Sequence, residues 1–226
     1  MEPPAGALFV SPHLDDAVLA CAELIASAER ATVLTLFAGR PPPGQSLTAW
    51  DQAAGFAEGE DVIGARREED REALAALGGA AHWLDFLDDQ YGGREPASVL
   101  AAALAAFVAG RPCTSVFLPA GLFHRDHVRA SDAALALLRT QPHIAGYLYE
   151  EPMYRRVDAA REARLQDLHA EGVLLERVRL RTAQGADARK RDAVACYRSQ
   201  LRALGTRSGH DDAFAAERYW RVGWAA

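Results

Sequence analysis

Two short apolar runs, far apart in the chain, each lead into a turn carrying histidine and aspartate and then into a helical pattern. This repeated strand–turn–helix arrangement constrains the fold more than any other feature of the 226 residues. The first run is Ala7-Leu8-Phe9-Val10, followed by Ser11-Pro12-His13-Leu14-Asp15-Asp16 and a helix-like stretch from Ala17 to Ala26. A continuous apolar run of this length, bounded by polar residues, reads as a strand buried on both faces of a parallel sheet. The second run is Ser115-Val116-Phe117-Leu118-Pro119, followed by His124-Arg125-Asp126-His127 and a helix-like Val128 to Leu138. Open parallel sheets bind ligands outside the carboxyl ends of their strands, and a helix N-terminus tolerates ionised aspartates. The two turns are therefore expected side by side at one edge of one sheet. Taken singly each has a plainer reading, because an aspartate before a helix is often an N-cap and a lone histidine is often structural. Two such turns in one chain weigh against that reading.

The rest of the chain extends the pattern. Thr32 to Phe37 reads as a second strand, completing a strand–helix–strand unit whose crossover is right-handed. Ala38 to Asp61 is a long irregular segment holding Trp50 and Phe56, and loops of that length are often functional. Further expected elements are a charged helix Gly64–Leu77, a strand Ala81–Leu87, a polar loop Asp88–Gly93 and a helix Pro96–Ala109. A strand Ile144–Glu150, an arginine-rich arm or helix over 155–168, an edge strand Val173–Leu180 and a helix Asp187–Leu204 follow. Ser208 to Asp212 is read as a polar loop, and Phe214 to Trp224 as an aromatic tail packing back on the body. No linker or repeat divides the chain, so residues 1–226 read as a single α/β domain.

Composition narrows the classes. Half the residues are hydrophobic, which excludes a disordered chain, and a net charge of −6 gives no nucleic-acid footprint. Cys21, Cys113 and Cys196 form no CxxC pair. With no secretory leader and no apolar run long enough to span a bilayer, these features lead to the expectation of a cytoplasmic protein without a membrane span.

The chemistry of the two turns is that of a metal hydrolase. A catalytic zinc takes three imidazole or carboxylate ligands and keeps one position open; His13, Asp16 and His127 can supply that set. Asp15, adjacent but not needed as a ligand, is placed to act as general base. His124 can stabilise an oxyanion or protonate a leaving nitrogen, with Asp126 behind it to orient the ring.

Pro12-His13-Leu14-Asp15-Asp16 together with His124-Arg125-Asp126-His127 resembles the LmbE-like, or PIG-L, family of zinc-dependent de-N-acetylases. Weaker matches are Arg66, Glu69 and Leu77-Gly78, then Tyr149-Glu150-Glu151-Pro152, then Lys190, Tyr197, Ser199 and Gln200. The resemblance implies a Rossmann-like three-layer sandwich with a mostly parallel sheet. It implies zinc, or ferrous iron in its place, held by His13, Asp16 and His127. It also implies Asp15 as base, His124 with Asp126 at the reacting centre, and Arg66 in contact with an amino-sugar substrate of the N-acetylglucosamine type. Without the resemblance, Arg66 and Arg67 read as part of a solvated helix face with Glu68 to Glu72.

Leu14 and Ala17 depart from the family's commoner proline and glutamate, and neither departure removes a ligand. The alternative function is a catalytically silent Rossmann-like binding module. A magnesium phosphoesterase fits poorly with two histidines, and a dehydrogenase would need a glycine fingerprint after the first strand. The expected partner is a small amino-sugar molecule and no nucleic acid, with a homo-oligomer left open.

Overall fold

The computed structural model describes residues 5–157, 159–205 and 210–225. Within these residues seven strands form one sheet in the order β3-β2-β1-β4-β5-β7-β6. They are β1 (Ala7–Ser11), β2 (Thr32–Thr35), β3 (Ala80–Trp83), β4 (Ser115–Pro119), β5 (Ala145–Tyr149), β6 (Val173–Val178) and β7 (Tyr219–Trp224). The first five run parallel, and β7 is antiparallel to both β5 and β6. Among the described residues eight helices flank the sheet: α1 (Asp16–Ile25), α2 (Ala49–Ala53), α3 (Val62–Leu77), α4 (Ala97–Val108), α5 (Arg125–Thr140), α6 (Ala160–Ala170), α7 (Ala186–Cys196) and α8 (Arg198–Leu204). None is long and apolar enough to cross a membrane.

The period of two along each strand divides the core. In β1, Ala7 and Phe9 enter the cluster beneath α1, α3 and α7, while Leu8 and Val10 enter the cluster beneath α4 and α5. Phe9 stacks on Phe117 of β4 at 4.6 Å, and Phe117 on Tyr147 of β5 at 4.9 Å. This three-ring ladder fixes the lateral register of the central strands. Tyr149 sends its hydroxyl to the Val10 carbonyl at 2.8 Å, a second tie across the centre of the sheet.

Several expected elements differ from those formed. The tail is not merely packed on the body: Tyr219 to Trp224 is β7, inserted between β5 and β6, so Val173–Val178 reaches the sheet only through the C-terminal strand. The expected helix Asp187–Leu204 is two helices broken at Tyr197, whose hydroxyl is held by Asp70 at 2.7 Å. The arginine-rich arm becomes helical only from Ala160. Within the long segment after β2, Thr48 closes a capping box with Asp51 and starts the short α2. Ser208 and Gly209, from the expected polar loop, lie outside the described residues.

Candidate metal centre

β1 and β4 are neighbours, with Ala7 opposite Ser115 and Phe9 opposite Phe117. One leads on to β2 and β3 on one side, the other to β5 on the opposite side, so their carboxyl ends flank the point where the strand order reverses. Crevices at such points are where open α/β sheets hold ligands.

Each turn is shaped by its own residues. After β1, Ser11 Oγ donates to the His13 carbonyl at 2.7 Å and accepts from the Ala17 amide at 3.0 Å. Asp16 Oδ2 accepts from the His13 amide at 2.8 Å and lies 3.1 Å from His13 Nδ1. After β4 the chain reverses through Gly121 (φ +83°) and Phe123 (φ +60°). A Cβ on Gly121 would sit 2.9 Å from that of Ser131, so glycine is required both by its φ and by its space. His124 then caps α5, its Nδ1 accepting from the Asp126 amide at 3.2 Å.

The two turns converge on one oxygen. His127 Nε2 lies 3.2 Å from Asp16 Oδ2, the same atom that faces His13 Nδ1. His13, Asp16 and His127 each offer one ligand atom, and the three lie within 4.8 Å of one another. His127 Nε2 is buried without a hydrogen-bond partner among the described residues, the condition of a nitrogen awaiting a ligand. The outer nitrogens are engaged: His13 Nε2 meets Asp126 Oδ2 at 3.0 Å, and His127 Nδ1 meets Glu151 Oε1 at 3.2 Å. Backing carboxylates of this kind orient metal-ligating imidazoles. His13, His124 and Asp126 form a second triad of the same span. There, however, the Asp126 carboxylate is already taken up by Arg129 and by the Asp89 amide at 2.9 Å.

The field of the pocket favours positive charge. Burial works against protonation of His13 and His127. For His13, the carboxylates of Asp88, Asp126 and Asp16 outweigh burial and hold the ring well above its ordinary value. For His127, Asp16 and Glu151 do the same and raise it to about 9. A divalent cation bound by these nitrogens would displace their protons and take over their role. Burial would raise Asp16, yet the two imidazoles keep it well below the carboxylate range. Asp15 is pushed up to about 7 by burial and the neighbouring Asp16 carboxylate, against the pull of Arg66. Burial and the two neighbouring imidazoles lower His124.

All seven expected residues belong to this region, though not all as expected. His13, Asp15, Asp16, His124, His127 and Arg66 line one cavity of about 510 Å³. Asp126 is fully buried beside it, but its carboxylate holds His13 rather than His124, which corrects the expected pairing. The reason is that His124 itself caps the helix, which turns its Nδ1 toward the backbone. The solvated reading of this helix holds for Glu68, Arg71 and Glu72, which are exposed, but is overturned for Arg66, Glu69 and Asp70. Arg66 is buried, its Nε without a partner among the described residues, Glu69 accepts from the Ser199 amide at 2.9 Å, and Asp70 accepts from Trp83 and Tyr197. Trp50 lines the cavity, its Nε1 donating to Gln200 at 2.9 Å, whereas Phe56 is not among the lining residues. Two residues that carried no role in the sequence reading are Asp88, 3.7 Å from His13 Nε2, and Glu151. Glu151 also accepts from the Gly121 and Leu122 amides at 2.8 and 3.0 Å. Their only sequence signal is an acidic residue just beyond an apolar strand.

Residues 8–138 match the family PIG-L, GlcNAc-PI de-N-acetylase. No curated protein sequence matches. Among solved structures, a deacetylase of the teicoplanin biosynthetic pathway, present there as a triple mutant, is 26% identical with a TM-score of 0.81 over 97% of this chain and 98% of its own. The antimicrobial reagent A40926 pseudoaglycone deacetylase is 28% identical with a TM-score of 0.78, again over 97% and 98%. N,N'-diacetylchitobiose deacetylase from Pyrococcus horikoshii shares the fold at 16% identity, with a TM-score of 0.56 over 96% of this chain and 83% of its own.

Proposed function

The chain belongs to the PIG-L family, and on that footing we propose that it is a metal-dependent hydrolase removing the N-acetyl group from an N-acetylglucosamine-type sugar. Residues 1–226 are read as one catalytic domain. The observation that carries the reading is the meeting of two turns more than a hundred residues apart, with three ligand atoms of the N₂O set inside 4.8 Å. In this reading His13, Asp16 and His127 hold the ion, and their mixed nitrogen and oxygen donors suit zinc or ferrous iron. A divalent ion held there supplies Lewis acidity, which lowers the pKa of water and polarises an amide carbonyl.

The protein's own groups carry the proton and the charge. Asp15 borders the cavity and its carboxylate makes no hydrogen bond among the described residues, so it is free to take a proton from the attacking water. The water oxygen bonds to the carbonyl carbon and the carbonyl oxygen becomes an oxyanion. His124 faces it with a defined tautomer. Because Nδ1 accepts from the Asp126 amide, the proton of the neutral ring sits on Nε2, a donor for the oxyanion. The carbon–nitrogen bond then breaks. The proton held by Asp15 passes to the leaving nitrogen, giving the free amino sugar and acetate. Arg66, buried at the cavity wall with Nε unengaged among the described residues, is assigned to a substrate oxygen.

The test is a screen for acetate release over N-acetylated sugars, with metal content measured on the same sample. Release from at least one N-acetylglucosamine derivative, by protein carrying stoichiometric zinc or iron, is expected. Protein that binds neither metal and gains no thermal stability from them would be a silent binding module instead.

A further inference from the structure

β6 is the outermost strand at its end of the sheet and pairs only with β7 among the described residues. An open strand edge is a template for another chain, and folded proteins usually blunt it with proline, a bulge or a very short strand. The opposite edge does so, since β3 is four residues long. β6 uses none of these devices. Its six residues, Val173-Leu174-Leu175-Glu176-Arg177-Val178, stay in unbroken register with β7. Leu174 is 43% exposed, and Val173 and Leu175 border a largely apolar cleft with Leu165, His169 and Trp220. The strand's two charges, Glu176 and Arg177, are of opposite sign, so it does not repel a copy of itself.

The backbone decides which groups this edge offers. The Ala225 amide donates to the Gly172 carbonyl at 2.9 Å, so Gly172 and Ala225 are a hydrogen-bonded pair continuing the β6–β7 ladder. Hydrogen-bonded and non-bonded pairs alternate along antiparallel strands. Leu174 and Glu176 therefore turn their amides and carbonyls toward β7, while Val173, Leu175 and Arg177 turn theirs outward. An added strand must bond to those three.

We propose that β6 pairs antiparallel with β6 of a second copy of this chain, about a two-fold axis at Leu174, joining two seven-stranded sheets into one. An axis perpendicular to the sheet keeps its faces, so residues equally spaced on either side of Leu174 come opposite each other. Val173 of each copy then lies opposite Leu175 of the other, and the outward groups of these residues bond across the interface. The two exposed leucines at 174 meet on the axis and cover one another. Glu171 of each copy comes opposite Arg177 of the other, both exposed, which gives two pairs of opposite charge. Other registers lack this match. An axis at Leu175 sets each Leu174 against a Glu176, and axes at Glu176 or Arg177 set like charges face to face, which is destabilising. The contact is a single short strand, so the dimer is a reversible one. It is independent of the catalytic reading.

Sedimentation velocity over roughly 1–200 μM reads the association directly. The wild-type protein should move from monomer toward twice the monomer mass. Glu171→Arg and Arg177→Glu each turn two attractive pairs into two repulsive ones, and each should weaken association about tenfold or more. The double variant restores opposite charges and should restore the dimer. Both positions are exposed, so an unchanged Tm checks that the fold is intact. Amide hydrogen exchange on the wild-type protein gives a second reading that needs no variant. The Val173 and Leu175 amides should exchange more slowly as concentration rises, while those of Leu174 and Glu176, already facing β7, should not change. A wild-type protein that stays monomeric throughout would overturn the pairing. So would single variants that dimerise like wild type, a double variant that does not recover, or a dimer in which exchange at 173 and 175 is unaltered.

Discussion

At the level of single residues, proximity in sequence is a poor guide to partnership in this site. Asp126 lies two positions from His124 yet serves His13, a residue in the turn after another strand. Asp15 and Asp16 are adjacent but differ in what their carboxylates touch: that of Asp16 closes its turn and meets both imidazoles, while that of Asp15 borders the cavity without a hydrogen bond among the described residues. Asp15→Asn should therefore leave metal content at the wild-type level and lower kcat roughly 10²–10⁴-fold, the usual loss for a general base. Near-normal turnover with full metal would remove Asp15 from that role. Glu151→Gln tests the backing of His127. Loss of the carboxylate that accepts from Nδ1 should weaken metal affinity roughly 10–100-fold, read by competition with a chromophoric chelator. An affinity equal to wild type would mean that Glu151 serves only the Gly121 and Leu122 amides. The candidate donor types were legible from the sequence because the two turns carry imidazoles and carboxylates in consecutive residues. Glu151 was not, since its partners come from a turn almost thirty residues earlier.

The elements repeat the lesson at a larger size. β1, β4 and α5 were readable because continuous apolar runs and a helical period leave few other arrangements. The inner face of α3 was not, because it is charged. Arg66, Glu69 and Asp70 look solvated until Ser199, Trp83 and Tyr197, from other elements, arrive to pair with the two acids. Burial of a charged group is decided by partners that local pattern does not contain. The turn between β4 and α5 makes its own prediction. Gly121→Ala would place a methyl 2.9 Å from Ser131 Cβ at φ +83°. It should destabilise the fold by more than about 1 kcal/mol. Because the same turn presents Phe123 and His124, it should also cut activity beyond what the change in melting temperature accounts for. A variant with an unchanged Tm and full activity would show that the turn tolerates the methyl group.

For the molecule as a whole, the sheet is closed by its last strand. Among the described residues β6 pairs only with β7, and β7 joins it to β5, so removal of residues 219–226 should release β6 and α6 together. Amide hydrogen exchange should show lost protection from Ala160 to Val178, while β1 to β4 stay protected. Retained protection in β6 would mean that it is held by α6 alone. A metal ion at the candidate centre would couple the two halves of the sheet through one site. An ion present at about a thousandfold excess over its Kd stabilises by roughly 4 kcal/mol, and each kcal/mol moves Tm by about 2–4 °C for a chain of this size. Chelation should accordingly lower Tm by several degrees, reversibly on adding zinc. An unchanged Tm would argue against ion binding at the meeting of the two turns.

The sequence by itself determined the parallel strands, the two polar turns at their carboxyl ends and the residue types available there. Apolar periodicity and donor chemistry are local properties, written in consecutive residues. The sequence also named His13, Asp16 and His127 as one candidate set. Tertiary structure alone decided that Asp126 and Glu151 stand behind the imidazoles, and that a C-terminal aromatic stretch becomes the sixth strand across the sheet. Those outcomes depend on which strands lie side by side and which distant groups satisfy one another once water is excluded. No stretch of consecutive residues fixes either.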